Sequence, residues 1–337
     1  MDPSTLPTAR EHQRLAWARA AAGNPALELE RASVDAGFRS YWRTIGNVPS
    51  RIVMDSPPEK ENVTGWLKVR ELLRSGGVRV PGVLSEDAEQ GFMLLEDLGP
   101  HTYLHVIDAD NADMMFEAAL AQLLKLQHIP VPDGFPAYNE EVLLRELRLF
   151  DEWFLGVHLG VSLDEAETER LFAVYRVLID SALAQPQVLV HRDFMPRNLM
   201  PGDGDTAVID FQDALHGPIA YDATCLFKDA FLSWPEERVA RWQARYHALA
   251  TEAGLPVPTW EQYRRDADLI GIHRHLKVIG IFARLNHRDG KPKYVADAPR
   301  FLAYLDAVLP RYPELQALAD LLDAHVRPAL QGASAAA

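Results

Sequence analysis

Along the first third of the chain, apolar and aromatic residues come in short runs at 27–29, 41–45, 52–54 and 92–95, bounded by Gly, Pro, Asn and Ser. Runs of that length between turn formers predict the strands of a small sheet. One helix interrupts them: Trp66, Leu67, Leu72 and Leu73 share a face, Thr64 is placed to cap the start, and Gly76-Gly77 follow the end. From residue 111 the period changes. Phe116, Leu120, Leu123, Leu124 and Gln127, then Leu143, Leu144, Leu147, Phe150 and Phe154, recur at helical steps of three and four. Two aliphatic triplets stand inside this helical remainder, Val188-Leu189-Val190 and Ala207-Val208-Ile209, and are expected to pair with each other as a ribbon carrying a loop. The pattern as a whole predicts an α+β chain. It has a small β-rich lobe over residues 1–95, a hinge at 96–99, a larger, mostly helical lobe over 100–330, and a frayed tail at 331–337.

Composition narrows the partners. A chain of 337 residues, 48% of them hydrophobic, can bury a sizeable core. A formal net charge of −14 without a local basic patch argues against nucleic acid or an acidic membrane surface as partner. The single cysteine, Cys225, excludes an intramolecular disulfide and a cysteine-based zinc site, and is expected to be a small buried residue. Residues 1–23 mix charges with alanines and lack the apolar core of a signal peptide, and no apolar run approaches the roughly 18 residues of a membrane span. A cytoplasmic location is the expectation.

The candidate chemistry lies on the loop His191-Arg192-Asp193-Phe194-Met195-Pro196-Arg197-Asn198 and the Asp210-Phe211 pair after the next apolar run. Phosphoryl transfer needs a base beside the acceptor hydroxyl and oxygen ligands for Mg²⁺. Asp193 suits the base, while Asn198, five residues on, and Asp210 suit the metal. His191 and Phe194 are expected to support the loop from beneath, and Arg197 to assist. Taken singly these are ordinary turn formers; loop, Asn and Asp-Phe in succession are a specific signal. The chain carries its own control, since His287-Arg288-Asp289 repeats the tripeptide but has Tyr294 where the Asn should stand and no Asp-Phe after it.

With these residues the sequence resembles the aminoglycoside phosphotransferase and choline kinase group, small-molecule relatives of the protein kinases. Gly217-Pro218 followed by Asp222 looks like that family's continuation of the motif, and Leu94-Leu95-Glu96-Asp97-Leu98-Gly99 looks like its adenine-holding hinge. The resemblance implies a bilobal protein-kinase-like fold, ATP and Mg²⁺ as cofactors, and nucleotide contacts at Glu96 and Leu98. Val208-Ile209-Asp210-Phe211-Gln212-Asp213-Ala214, the run from Arg274 to Leu285 and the Arg288-Asp289-Gly290-Lys291 turn look most like the family's anomeric sugar kinases of peptidoglycan recycling. That implies an N-acetylated amino sugar as the small-molecule substrate, near Asp151, Trp153, Arg274 and His275, with Arg274 the preferred cation for an acceptor carboxylate. Lys277, on the same segment, is expected on a solvated basic face. An aminoglycoside, choline or another amino-alcohol is the alternative acceptor, and a non-catalytic nucleotide-binding scaffold the alternative class.

The chain departs from the protein kinases at Met195, where they have Lys, and at Gln212, where they have Gly, and it lacks an Ala-Pro-Glu segment, so a protein substrate is not expected. The strand that should end in a phosphate-gripping Lys reads Arg51-Ile52-Val53-Met54. Arg39, Ser40 and Arg43, on a stretch at 34–43 that looks like the phosphate-covering hairpin, are the candidates to replace it. Glu61 and Glu71 are given no role.

Overall fold

A computed structural model describes residues 8–33, 38–61, 63–202 and 205–330. Residues 34–37 of the expected phosphate-covering hairpin and the expected tail at 331–337 lie outside the described residues. In chain order the elements are α1 (Ala9–Ala22), β1 (Glu28–Ser33), β2 (Ser40–Ile45), β3 (Arg51–Asp55), α2 (Val63–Ser75), β4 (Val83–Asp87), β5 (Phe92–Glu96), α3 (Tyr103–Val106), α4 (Ala112–Gln127), α5 (Glu140–Leu149) and α6 (Glu165–Ala184). Then come β6 (Gln187–Val190), β7 (Leu199–Met200), β8 (Ala207–Val208), β9 (Leu215–Pro218), α7 (Ala220–Phe227), α8 (Glu236–Glu252), α9 (Trp260–Asp289), α10 (Ala298–Val308) and α11 (Gln316–Leu321). The chain divides into two compact units, Met1–Ala109 with Arg197–Asp213, and Asp110–Pro196 with Ala214–Ala337.

The first unit is built on a five-stranded antiparallel sheet of order β1-β2-β3-β5-β4. All four expected strands are present, and β4 joins them at the edge. Ala18, Leu27, Val53 and Leu94 form a core against which Trp17 and Trp42 pack. The helix α1 was not legible in the hydrophobic pattern because part of its inward face is cationic. Arg14 is buried with its guanidinium 3.6 Å from the centre of the Trp42 ring. Together with Arg10 it pairs with the buried Asp55 at the end of β3, at 3.0 and 2.7 Å. A capping box between Thr8 and Glu11 starts the helix and the left-handed Gly23 ends it. Helix α2 begins at Val63, so Thr64 lies inside its first turn instead of capping it.

The two aliphatic triplets do not pair with each other. β6 pairs with β9, Val188 opposite Gly217, and β8 pairs with β7, Leu199 opposite Val208. β8 takes the strand nearer in sequence, which closes a short hairpin loop at low entropic cost, and β6 reaches past that hairpin to β9. The β7–β8 hairpin is fixed within the first unit. Val208 N–H donates to the Arg79 carbonyl at 2.8 Å, and the Thr206 hydroxyl bonds that of Tyr103.

In the second unit α9 is the central element, buried over most of its thirty residues. It includes Lys277, at 7% exposure, so the expected solvated basic face is a buried one: Glu146 neutralises the amine, as described below. After Leu149 helix α5 continues as a π-helical stretch, Phe150–His158. Its start packs on α9 so closely that a Cβ added at Gly280 would sit 2.3 Å from the Leu149 carbonyl. Gly280→Ala would gain about 1 kcal/mol of helix propensity. It would lose about 3 kcal/mol to a clash that backbone atoms cannot relieve. A net loss of about 2 kcal/mol is expected in urea unfolding, and a stabilised variant would contradict this packing.

Candidate active site

The loop after β6 is shaped by one carboxylate. Asp222, fully buried in the first turn of α7, accepts the backbone N–H groups of His191 at 2.7 Å and Arg192 at 3.0 Å. Burial pushes its carboxyl up to about 6, against the pull of His191 and the two N–H donors. Held this way, Arg192 takes a left-handed φ of 76°. Asp193 then donates its N–H to His191 Nδ1 at 3.3 Å, which makes that nitrogen the acceptor. The His191 ring meets Phe194 edge-on at 5.9 Å. Arg274 touches the loop from α9, donating to Met195 Sδ at 3.8 Å and to the Lys228 carbonyl at 3.1 Å.

The metal candidates lie together in the first unit. Asn198 ends the short turn Pro196–Asn198, and its carbonyl accepts the Ile209 N–H at 3.0 Å, so Asn198 and Asp210 stand on hydrogen-bonded neighbouring segments. Asp210 has φ 63°. Its carboxylate accepts from Gln212 Nε2 at 2.9 Å, and Phe211 anchors the turn against Trp66 at 5.0 Å. A carboxamide and a carboxylate so placed are hard oxygen donors, which fits Mg²⁺. Arg192 and Asp210 are the two left-handed residues other than glycine among the described residues, and they fall on the two halves of the motif. Such conformations cost on the order of 1–3 kcal/mol each and concentrate at functional sites. The decoy tripeptide has nothing of this geometry: His287, Arg288 and Asp289 are the last turn of α9, closed by left-handed Gly290.

The nucleotide candidates are engaged in ion pairs and turns. Arg43 holds Asp97 in a two-pronged bond at 2.7 and 3.0 Å and also reaches the Gly99 carbonyl. Glu96 pairs with Arg79 and accepts the Gly82 N–H at 3.1 Å. Ser40 accepts from Trp42 at 2.9 Å, and Leu98 is half-buried. Met54 is fully buried in β3, opposite Tyr41 and Met93. Arg39 lies 2.7 Å from Glu61, just before α2. Arg197 is half-buried in the turn that ends at Asn198.

Of the acceptor candidates, Arg274 touches the loop, at Met195. Asp151 accepts from Arg148 at 2.9 Å and from Tyr175 at 3.0 Å, and lines a cavity of about 310 Å³ with Leu155, Leu171 and Phe172. Trp153 is half-buried on the π-helical stretch. His275 stacks on Tyr304 at 4.8 Å, and burial lowers its pKa well below the usual value, leaving it neutral.

Residues that the pattern did not single out lie beneath the loop. Arg192 pairs with Glu146 of α5, which also binds Lys277 Nζ at 2.9 Å and accepts the Tyr138 hydroxyl. Gly217 of the Gly-Pro motif lets Tyr138 in, since a Cβ there would stand 3.1 Å from that of Tyr138. A sequence signal for Glu146 exists. With Leu143, Leu147 and Phe150 it occupies the apolar stripe of its helix, where an unpaired charge would not be placed.

The phosphotransferase enzyme family matches residues 28–264 by its sequence profile, and the chain belongs to that family. It is 52% identical over 299 residues to the N-acetylmuramate/N-acetylglucosamine kinase of Pseudomonas aeruginosa PAO1, with 88% of each chain covered. The identity to the protein of that name from Neisseria meningitidis serogroup B is 43% over 302 residues, covering 88% of this chain and 90% of that one. An ADP-bound aminoglycoside phosphotransferase shares the fold at TM-score 0.57 and 16% identity, over 86% of this chain and 97% of that one.

Proposed function

We propose that this chain transfers the γ-phosphoryl group of ATP to the anomeric hydroxyl of N-acetylmuramate or N-acetylglucosamine. Two left-handed residues, Arg192 and Asp210, one beside the base and the other a metal donor, carry the chemical part of this reading. The names of the relatives support the choice of sugar. Asp193 accepts the proton of the sugar hydroxyl as its oxygen bonds to phosphorus and the bond to the ADP oxygen breaks. Asn198 and Asp210 hold Mg²⁺, which when bound neutralises phosphate charge. Gln212 keeps the Asp210 carboxylate turned, a role that the glycine of a protein kinase could not fill. Arg39, buttressed by Glu61, is our substitute for the strand lysine that Met54 displaces.

A panel of acceptors with ATP and Mg²⁺ tests the reading. The sugars should yield 1-phosphates, seen as anomeric phosphorus–proton coupling by NMR, with the product lost in EDTA and restored by Mg²⁺. Turnover of choline or an aminoglycoside in their place would sink it. Nucleotide binding without turnover across the panel would mark a scaffold.

A further inference from the structure

Glu146, Lys277, Arg192, Tyr138 and Tyr221 form one buried polar cluster among helices α5, α7 and α9 and the catalytic loop. Glu146 is 5% exposed and Lys277 7%. Glu146 Oε1 takes both cations, Oε2 takes the Tyr138 hydroxyl, and Lys277 Nζ donates onward to the Tyr221 oxygen at 3.2 Å. The Arg192 guanidinium also lies over the Tyr138 ring at 5.6 Å. Burial alone would raise the Glu146 carboxyl; Lys277 and Arg192 outweigh it and bring the group down to about 2, so it is ionised throughout the working range.

Net stability does not account for such a cluster. Desolvation consumes most of the Coulomb gain of buried ion pairs, and well-packed apolar side chains of the same volume often do as well or better. What apolar side chains cannot supply is a directional bond to Arg192. That residue sits at φ 76°, a conformation that would relax to the ordinary region for roughly 1–3 kcal/mol unless restrained. Asp222 restrains its backbone N–H, and Glu146 restrains its side chain through a charge-assisted bond of about the same size as that relaxation, roughly 1.5–3 kcal/mol. Asp193 is the next residue, so its side-chain direction follows from the backbone torsions of Arg192.

We infer that Glu146, itself held by Lys277 and Tyr138, is a positioning residue for the catalytic loop, fixing through the Arg192 guanidinium the left-handed turn that aims Asp193. The inference rests on Asp193 as the base and adds a second layer beneath it.

The test separates aim from stability, using the full chain with ATP, Mg²⁺ and N-acetylglucosamine. Glu146→Gln should lower kcat by roughly 10–100-fold with both KM values within about twofold, the loss expected of a misaimed group. It should also lower Tm, because Lys277 is left buried without its anion. Adding Lys277→Met to Glu146→Gln removes the more deeply buried of the two cations that lose their anion, the other being the partly exposed Arg192. The double variant should regain Tm to within about 3 °C of the parent, yet keep at least a tenfold kcat deficit. Recovery of kcat together with Tm would overturn the inference and leave the cluster a purely structural one. Glu146→Asp keeps the charge but shortens the reach by one methylene. It should cut kcat by about fivefold or more at unchanged KM, and wild-type kcat in that variant would also overturn the inference. Asp193→Asn, assayed alongside, speaks to the underlying reading alone: if it stays active the base assignment fails, whatever the Glu146 variants do.

Discussion

Asp193→Asn is expected to lower kcat by about 10²–10⁴-fold, the span that a positioned general base contributes. The anomeric hydroxyl of a reducing sugar is more acidic than an ordinary alcohol, which places the loss in the lower half of that span. The substitution keeps the shape of the side chain and leaves the backbone N–H of residue 193 on His191. Fold and nucleotide affinity should therefore persist, with the Kd for ADP by calorimetry within about threefold of the parent, since uniform binding is untouched. A variant retaining a tenth or more of parental kcat would end the assignment of Asp193 as the base.

Asp222→Ala should have the second-largest effect, and on stability as well as rate. It strands the His191 and Arg192 N–H groups in a buried site. At roughly 1–3 kcal/mol for each unsatisfied donor, a loss of about 2–4 kcal/mol is expected after partial relaxation. Because the loop loses the contact that shapes it, kcat should fall by about 10²-fold as well. Urea unfolding and steady-state kinetics check the two parts, and unchanged values in both would show that Asp222 does not shape the loop.

The same residue gives a pH dependence. Its carboxyl is raised to about 6 in the folded protein, against roughly 3.9 for an exposed aspartate. A carboxyl raised on folding takes up its proton more readily folded than unfolded. Its ionised form therefore costs stability above about 6, and that cost disappears as pH falls from 6 toward 3.9. Activity should respond in the opposite sense, since a protonated Asp222 can no longer accept both N–H groups. A fall in kcat as pH drops through about 6 is expected, and the residual activity of Asp222→Asn should lack that component.

Much of the site was legible because it is written locally. The distance from Asp193 to Asn198, and the aliphatic run before Asp210-Phe211, are covalent facts that one loop and one hairpin convert into geometry. The four strands at 27–29, 41–45, 52–54 and 92–95 were legible for the same reason, each marked by its own turn formers. Helix α1 was hidden because an arginine, stacked on Trp42 and paired with Asp55, stands where the pattern demands an apolar residue. The partners of the two triplets were hidden because residue type gives a strand its propensity but not its neighbour; Ala207-Val208 closes a short hairpin on Leu199-Met200, which leaves Val188-Leu189-Val190 to the later strand at 215–218.

By itself, then, the sequence determined the class of the fold and singled out the candidate base and the two candidate metal donors, since these depend on residue type at fixed short spacing. Tertiary structure alone decided what holds them. Lys277, by residue type a surface cation, is buried because Glu146, far off in the chain, lies 2.9 Å away. Asp222, legible in the sequence only as a motif position, becomes in the fold the carboxylate that accepts the N–H groups of His191 and Arg192. Packing brings such groups together across long stretches of chain, and a buried charge is tolerated only where its partner arrives with it.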